Sequence, residues 1–265
     1  MDIILSMKQM QILKDIILEA GEIVNEGYQK NKKIIYKGVV DLVTQYDVET
    51  ENFILDALEK EFPDYRLVGE ESHKGSYEYD KAIYIDPIDG TTNFIHGIPH
   101  LAISVGVWEY NKPIMAVVYN PILDEMFWAM DGGGAYHNDK KMEVSAQVDL
   151  QQSLIATGFP YAKVDRGVEY RWVIDVMKNI LPNIRDIRRL GAAALDLCYL
   201  ADGKTDAFYE IDLKPWDVAA GILIVQEAGG EITNSSGNKY NLNEKSLVAT
   251  NGKIHKDILR YLEPI

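Results

Sequence analysis

The residues best suited to chemistry in this chain are carboxylates grouped at turns. The apolar run Ala82-Ile83-Tyr84-Ile85 leads into Asp86-Pro87-Ile88-Asp89-Gly90-Thr91-Thr92-Asn93. Pro87 fixes its own φ and pushes Asp86 away from helical backbone, so two carboxylates and the Ile88 carbonyl can face one point. Two like charges about 4 Å apart repel by about 4 kcal/mol at an effective dielectric of 20, and a bound cation is the simplest relief. The same string also reads as an ordinary strand-to-helix turn with Asp89 as N-cap. A helical turn starting at Gly90-Thr91-Thr92 would present free N–H groups to an oxyanion. The alternative there is local capping by the threonine hydroxyls. Three further acidic groups belong to the same inventory. Glu70-Glu71-Ser72 reads either as a ligand source or as a solvated turn. Asp47 suits the N-cap of a helix over 48–60, and Asp217, after Pro215-Trp216, suits the first turn of a helix over 216–228.

Other reactive types carry less. His96 and His100 are spaced i, i+4, but Pro99 lies between them and no neighbouring glutamate completes a zinc motif, so they read as structural. The single cysteine, Cys198, lies in an apolar run and reads as a buried thiol. Gly132-Gly133-Gly134 reads as a hairpin turn. No GxGxxG or GK[ST] string is present, which argues against a dinucleotide-binding oxidoreductase or a nucleotide phosphate loop.

The elements that must position these groups follow from pattern. Ile12, Leu13, Ile16, Ile17, Ala20, Ile23 and Val24 recur at helical spacing. A second helix is expected over 48–60, ended by Pro63. A strand over 82–85 should stop at Asp86-Pro87. Runs at 101–108, 113–119 and 125–130, with turns at 110–113 and 131–134, predict an antiparallel meander. Beyond residue 150 strands (153–157, 205–210) alternate with helices (166–181, 192–201, 216–228). This predicts an α/β chain of two sheet-containing lobes, about 1–145 and 146–265, forming one unit over 1–265.

The chain has 265 residues, 47% hydrophobic and 26% charged, which suits a folded globular protein. Lys plus Arg number 27 and Asp plus Glu 41, for a net charge of −14. A nucleic-acid partner calls for a basic face, and the densest basic groups are only Lys30/Lys32/Lys33 and Arg185/Arg188/Arg189. Nucleic acid and anionic membrane are therefore not expected partners. Met1-Asp2-Ile3-Ile4-Leu5 has no basic leader region, no apolar run approaches a membrane span, and a lone cysteine gives no disulfide; a cytoplasmic protein is expected.

Taken together, the motifs resemble those of the inositol monophosphatase family. Asp86-Pro-Ile-Asp89-Gly90-Thr91-Thr92-Asn93-Phe94 resembles its first signature. Trp216-Asp217-Val218-Ala219-Ala220-Gly221, running to Glu227-Ala228-Gly229-Gly230, resembles its second. Glu70-Glu71-Ser72, Asp41-Leu-Val-Thr-Gln-Tyr-Asp47 and Leu190-Gly191-Ala192-Ala193-Ala194 match further blocks in the expected order, over about residues 10 to 260. Lys37-Gly38-Val39-Val40 resembles a shortened metal-loop region.

The resemblance implies a layered αβαβα sandwich like that of inositol monophosphatases and fructose-1,6-bisphosphatases, and a homodimer. It implies a first magnesium at Glu70, Asp86 and the Ile88 carbonyl, a second at Asp86, Asp89 and Asp217, and a third, weaker ion near Glu70, with manganese as an alternative. Hard oxygen donors suit these ions. It implies direct attack of a metal-activated water held by Glu70 and Thr91, with Asp47 orienting the Thr91 hydroxyl. Ile88, Asp89, Gly90, Thr91, Gly191, Ala192, Ala193, Glu210 and Asp217 are the implied substrate contacts. Ala192 stands where many relatives carry threonine, and Lys214 precedes Pro215-Trp216. The implied substrate is a small phosphorylated polyol or sugar, first myo-inositol monophosphate. Fructose 1,6-bisphosphate, a nucleotide phosphate, and a non-catalytic partner protein that kept the fold are the alternatives. Cations borrowed by acidic side chains would let a protein of net charge −14 bind an anion.

Overall fold

In the computed structural model, which describes residues 3–30, 34–36 and 42–262, the apolar runs of the middle third form the longest strands. The first half of the chain comprises α1 (Ile3–Tyr28), β1 (Ile34–Tyr36), β2 (Leu42–Thr44), α2 (Gln45–Glu61), β3 (Arg66–Gly69), β4 (Lys81–Asp89), α3 (Thr91–His96), β5 (Ala102–Glu109), β6 (Lys112–Asn120), β7 (Glu125–Met130), β8 (Gly134–His137) and β9 (Lys140–Lys141). The second half comprises β10 (Leu154–Thr157), α4 (Val168–Ile180), β11 (Asp186–Arg188), α5 (Ala193–Ala201), β12 (Ala207–Ile211), α6 (Pro215–Glu227), β13 (Glu231–Thr233), β14 (Ser246–Thr250) and α7 (His255–Leu259).

β3 to β9 form a seven-stranded sheet in sequence order. β3 pairs with β4 in parallel and all later pairs are antiparallel, which is the expected meander. A five-stranded sheet has the order β11-β10-β12-β14-β13, with β10 parallel to both its neighbours. β1 and β2 make a separate hairpin pair.

Side-chain alternation along the central strands supplies two cores at once. Ile83, Ile85, Ile103, Val105 and Val107 face α1 and α2; Ala82, Tyr84 and Trp108 face α5 and α6 on the other side. Both faces are covered, so these strands are almost continuously buried. α5 and α6 also pack on the five-stranded sheet, whose far face meets α4 and α7 through Trp172, Val176, Tyr209 and Ile258. The layers therefore run α1/α2, seven-stranded sheet, α5/α6, five-stranded sheet, α4/α7, an αβαβα sandwich.

The structure corrects two helix starts and a strand end. α2 begins at Gln45 with Thr44 as N-cap, and Asp47 is its N3 residue: Asp47 Oδ2 accepts from Thr44 N at 2.8 Å and Thr44 Oγ1 at 2.6 Å. This is a capping box, which holds Oδ2 at the helix start and leaves Oδ1 for the Thr91 hydroxyl. β4 continues past Asp86 to Asp89 because Pro87 is absorbed in a β-bulge. α3 takes Gly90, not Asp89, as its N-cap. Lys32, Lys33, Lys37-Gly38-Val39-Val40 and Asp41 lie outside the described residues.

Candidate active site

The bulge in β4 solves a parity problem. In a regular strand, residues three apart point to opposite faces. Asp86 pairs with Ser104 but Asp89 pairs with Ala102, so three steps on β4 match two on β5. The extra residue brings Asp86 and Asp89 to the same side, and Pro87, which has no N–H to give a ladder, is the residue that tolerates it. Ile88 N donates to Asp86 Oδ1 at 3.0 Å, closing the turn.

Gly90 follows in left-handed backbone (φ 95). A Cβ there would lie 3.2 Å from both the Ala192 Cβ and the Gly191 carbonyl, so only glycine lets the two segments meet this closely. Asn93 clasps them, donating both amide hydrogens, to His100 O at 2.6 Å and Leu190 O at 2.9 Å.

The acidic groups are brought in by three parts of the chain: Asp86 and Asp89 by β4, Glu70 by the turn after β3, and Asp217 by α6. Glu70 follows β3 and its N–H binds Ile85 O at 3.1 Å. The buried Glu51 of α2 accepts Glu71 N at 2.8 Å and so holds that turn. Asp89 Oδ2 accepts Ala194 N at 2.6 Å, which puts its charge on the N-terminus of α5. Asp217, third residue of α6, accepts Lys214 N at 2.7 Å. Thr91 Oγ1 lies 3.0 Å from Asp47 Oδ1 and 3.1 Å from Ile88 O.

Burial pushes Asp86 well above the ordinary carboxylate range, and the charges of Glu70, Asp89 and Asp217 push it further. Asp89 is raised by burial and by Asp217, against the opposing pull of the α5 amides. Asp217 is raised to about 6, chiefly by burial. None of the leading influences on Asp86 or Asp89 is a basic side chain. Among the described residues no three His, Cys, Asp or Glu side chains are already gathered in metal-holding geometry. The carboxylates instead relieve their repulsion on backbone amides. An all-oxygen set of mutually repelling carboxylates, in which Lys214 beside Asp217 is the one cation among the leading influences on Asp86, Asp89 and Asp217, fits hard divalent ions.

A cavity of about 290 Å³ opens beside this group. Asp89, Gly90, Thr91, Gly191, Ala192, Ala193, Glu210 and Asp217 line it, as expected of substrate contacts. Glu70, Asp86, Asp47 and Ile88 do not line it; they stand behind the wall. Burial raises Glu210 well above its usual range, and Arg189 partly offsets this. His96 is exposed at the end of α3, and His100 Nε2 lies 3.3 Å from Asp196 Oδ1, away from any metal-type cluster. Cys198 is buried in α5 and its thiol is raised well above its usual value by that burial.

The sequence reading missed Arg189, Lys163, Phe159 and Asp196, which also line the cavity. Arg189 stood directly before the Leu190-Gly191 block, a signal that was available. Lys163 had no signal, since it lies in an irregular short helical turn after β10.

Comparison with known proteins places the chain in a family. The inositol monophosphatase family matches residues 7–265. The chain is 41% identical to "Inositol monophosphatase 3" of Solanum lycopersicum over 253 residues, 92% of each chain. Among solved structures it resembles the extragenic suppressor protein suhB from Bartonella henselae, with TM-score 0.89, 37% identity, and coverage of 96% of this chain and 98% of that one. It also resembles inositol monophosphate-bound SaIMPase-II, with TM-score 0.80, 29% identity, and coverage of 96% and 93%.

Proposed function

This chain belongs to the inositol monophosphatase family, whose members are phosphoric monoester hydrolases, and from that premise we propose that it is a magnesium-dependent phosphatase acting on myo-inositol monophosphate. One observation carries the reading: burial and, with it, the charges of Glu70 after β3, Asp89 on β4 and Asp217 on α6 raise the Asp86 carboxyl, at a cavity lined by Asp89, Asp217 and Thr91, whose hydroxyl donates to Asp47. When bound, magnesium or manganese ions on Glu70, Asp86, Asp89, Asp217 and the Ile88 carbonyl would supply positive charge to the phosphoryl and leaving oxygens.

The residues themselves orient the nucleophile. Asp47 Oδ2 is occupied by Thr44, and Oδ1 accepts the hydrogen bond that the Thr91 hydroxyl donates. Thr91 Oγ1 then presents its lone pairs outward and accepts from a water. Glu70 takes the second proton of that water as it attacks and then returns it to solvent. The water oxygen forms a new bond to phosphorus as the bond to the alcohol oxygen breaks in line, and the alcohol takes a proton from solvent. The N–H groups of Gly90 and Thr91 receive phosphoryl oxygens, and Glu210 accepts from ring hydroxyls. No side-chain nucleophile is needed. The working form is a homodimer in the cytoplasm.

The test is phosphate release from a panel of myo-inositol 1-phosphate, fructose 1,6-bisphosphate and nucleotide phosphates, with and without magnesium. Magnesium-dependent release, greatest from the inositol ester, supports the reading. No release from any ester at saturating magnesium would leave only the non-catalytic alternative.

A further inference from the structure

α2 does more than supply Asp47. Its buried face carries Tyr46, Asp47, Thr50, Glu51, Ile54 and Leu58. Ile54 and Leu58 join the apolar core with Ile83 and Ile85 of β4, while the two acids sit one turn apart toward the start of the helix. Glu51 is 1% exposed. Among the described residues its carboxylate has one hydrogen bond, from Glu71 N at 2.8 Å, and no ion pair. A buried carboxylate so sparsely satisfied costs free energy that an apolar side chain would not. Glu51 neither lines the cavity nor touches Thr91.

The surroundings keep that carboxylate in one place. A Cβ on Gly69 would lie 2.5 Å from the Glu51 carboxyl carbon and Oε2, and 2.8 Å from Oε1. Gly69 has no left-handed backbone that calls for glycine, so room for the carboxylate is what the missing side chain provides. Glu70 then stands between two anchored amides. Its own N–H is held by Ile85 O at 3.1 Å and the next is held by Glu51. The Glu70 side chain is hydrogen-bonded to Asp86. One helix thus carries Asp47, which accepts the Thr91 hydroxyl, and four residues on, about 6 Å along the axis, Glu51, which accepts the amide beside Glu70.

We propose that Glu51 is a positioning residue of the metal and water site: through the Glu71 amide it sets where Glu70 stands, and α2, bearing Glu51 and Asp47 together, fixes the separation of Glu70 from Thr91. The proposal rests on the phosphatase reading above and adds to it the element that aligns both groups holding the water. A shift of Glu70 alone would spoil the line from water to phosphorus without emptying the substrate pocket.

Variants read in two ways test it: kcat, and magnesium binding to the metal-free protein by calorimetry. Glu51→Ala should lower kcat and weaken magnesium binding by about tenfold or more, with KM for the ester changed much less. Glu51→Gln, which keeps an acceptor oxygen, should recover much of both. In a Glu70→Gln background Glu51→Ala should cost less than about twofold by either measure, because the group it positions is already altered. Gly69→Ala, whose new methyl meets the carboxylate, should repeat the loss when Glu51 is present and add nothing beside Glu51→Ala; it carries the test should Glu51→Ala not fold. Equal losses with and without Glu70 mark a general effect on the fold and overturn the proposal while the phosphatase reading stands. If the native protein hydrolyses no ester, the phosphatase reading fails and calorimetry decides the proposal alone. Weaker magnesium binding that depends on Glu70 upholds it, and binding unchanged by both variants, or no binding by the native chain, overturns it.

Discussion

Asp89 has two tasks that one substitution can separate. Its Oδ2 accepts the Ala194 amide and so joins the end of β4 to the start of α5. Its charge belongs to the proposed metal cage. An asparagine side chain here would keep an acceptor oxygen but lose the charge, so Asp89→Asn should cut kcat by at least about a hundredfold while thermal unfolding stays near native. Native turnover at saturating magnesium would remove Asp89 from the cage. Asp47 gives a pH test. Burial raises its carboxyl, and the bonds from Thr44 and Thr91 only partly oppose this. A protonated Asp47 would turn an acceptor into a donor and release the Thr91 hydroxyl. The acid limb of the kcat–pH profile should therefore lie above the usual carboxylate value of about 4, and Asp47→Asn should flatten that limb and lower the plateau.

Elements decide how well these side chains are aimed. α6 carries Asp217 and is fastened to β5 at three alternate positions. Ser104 Oγ donates to Trp216 O at 3.4 Å, Trp108 Nε1 donates to Ala219 O at 3.0 Å, and between them Gly106 has no side chain. A Cβ at Gly106 would lie 2.7 Å from the Ala219 and Ala220 backbone. Gly106→Ala should push α6 away, destabilise the protein by about 1–3 kcal/mol in denaturant unfolding, and raise the magnesium concentration needed for activity. Loss of the α2 capping box acts differently. Thr44→Ala should cost about 1 kcal/mol and lower Tm by roughly 3 °C, and it should also lower kcat because Asp47 loses the partner that fixes it.

At the scale of the whole molecule, the fold keeps a group of like charges buried between its sheets and helices. The sign of the pH effect follows from Asp217, whose folded pKa of about 6 exceeds its ordinary 3.8. Within that window the folded chain holds a proton that the unfolded chain has released. Stability of the metal-free protein therefore falls as pH rises through it, and the penalty is complete above about 6. Divalent ions bound to the ionised form would offset the penalty. Saturating magnesium should raise Tm by roughly 5 °C or more at about pH 7.5 and by much less at about pH 5, and an equal shift at both would show that these carboxylates are not the binding group. Among the described residues no helix is long and apolar enough to cross a membrane.

Local chemistry is what the sequence alone determined. Strand alternation, helical spacing and turn residues placed most elements, and the acidic motifs named the carboxylates, because those signals are carried by neighbours in the chain. The parity change at Pro87 was not legible, since a bulge is visible only against the partner strand that fails to match it. Nor was the Asp89–Ala194 bond, whose ends are 105 residues apart. The same holds for the cavity's cations: Lys163 and Arg189 are well separated in the chain and line one cavity only when β10 and β11 lie side by side. Which charges meet is set by distances in space, and those exist only after the layers have packed.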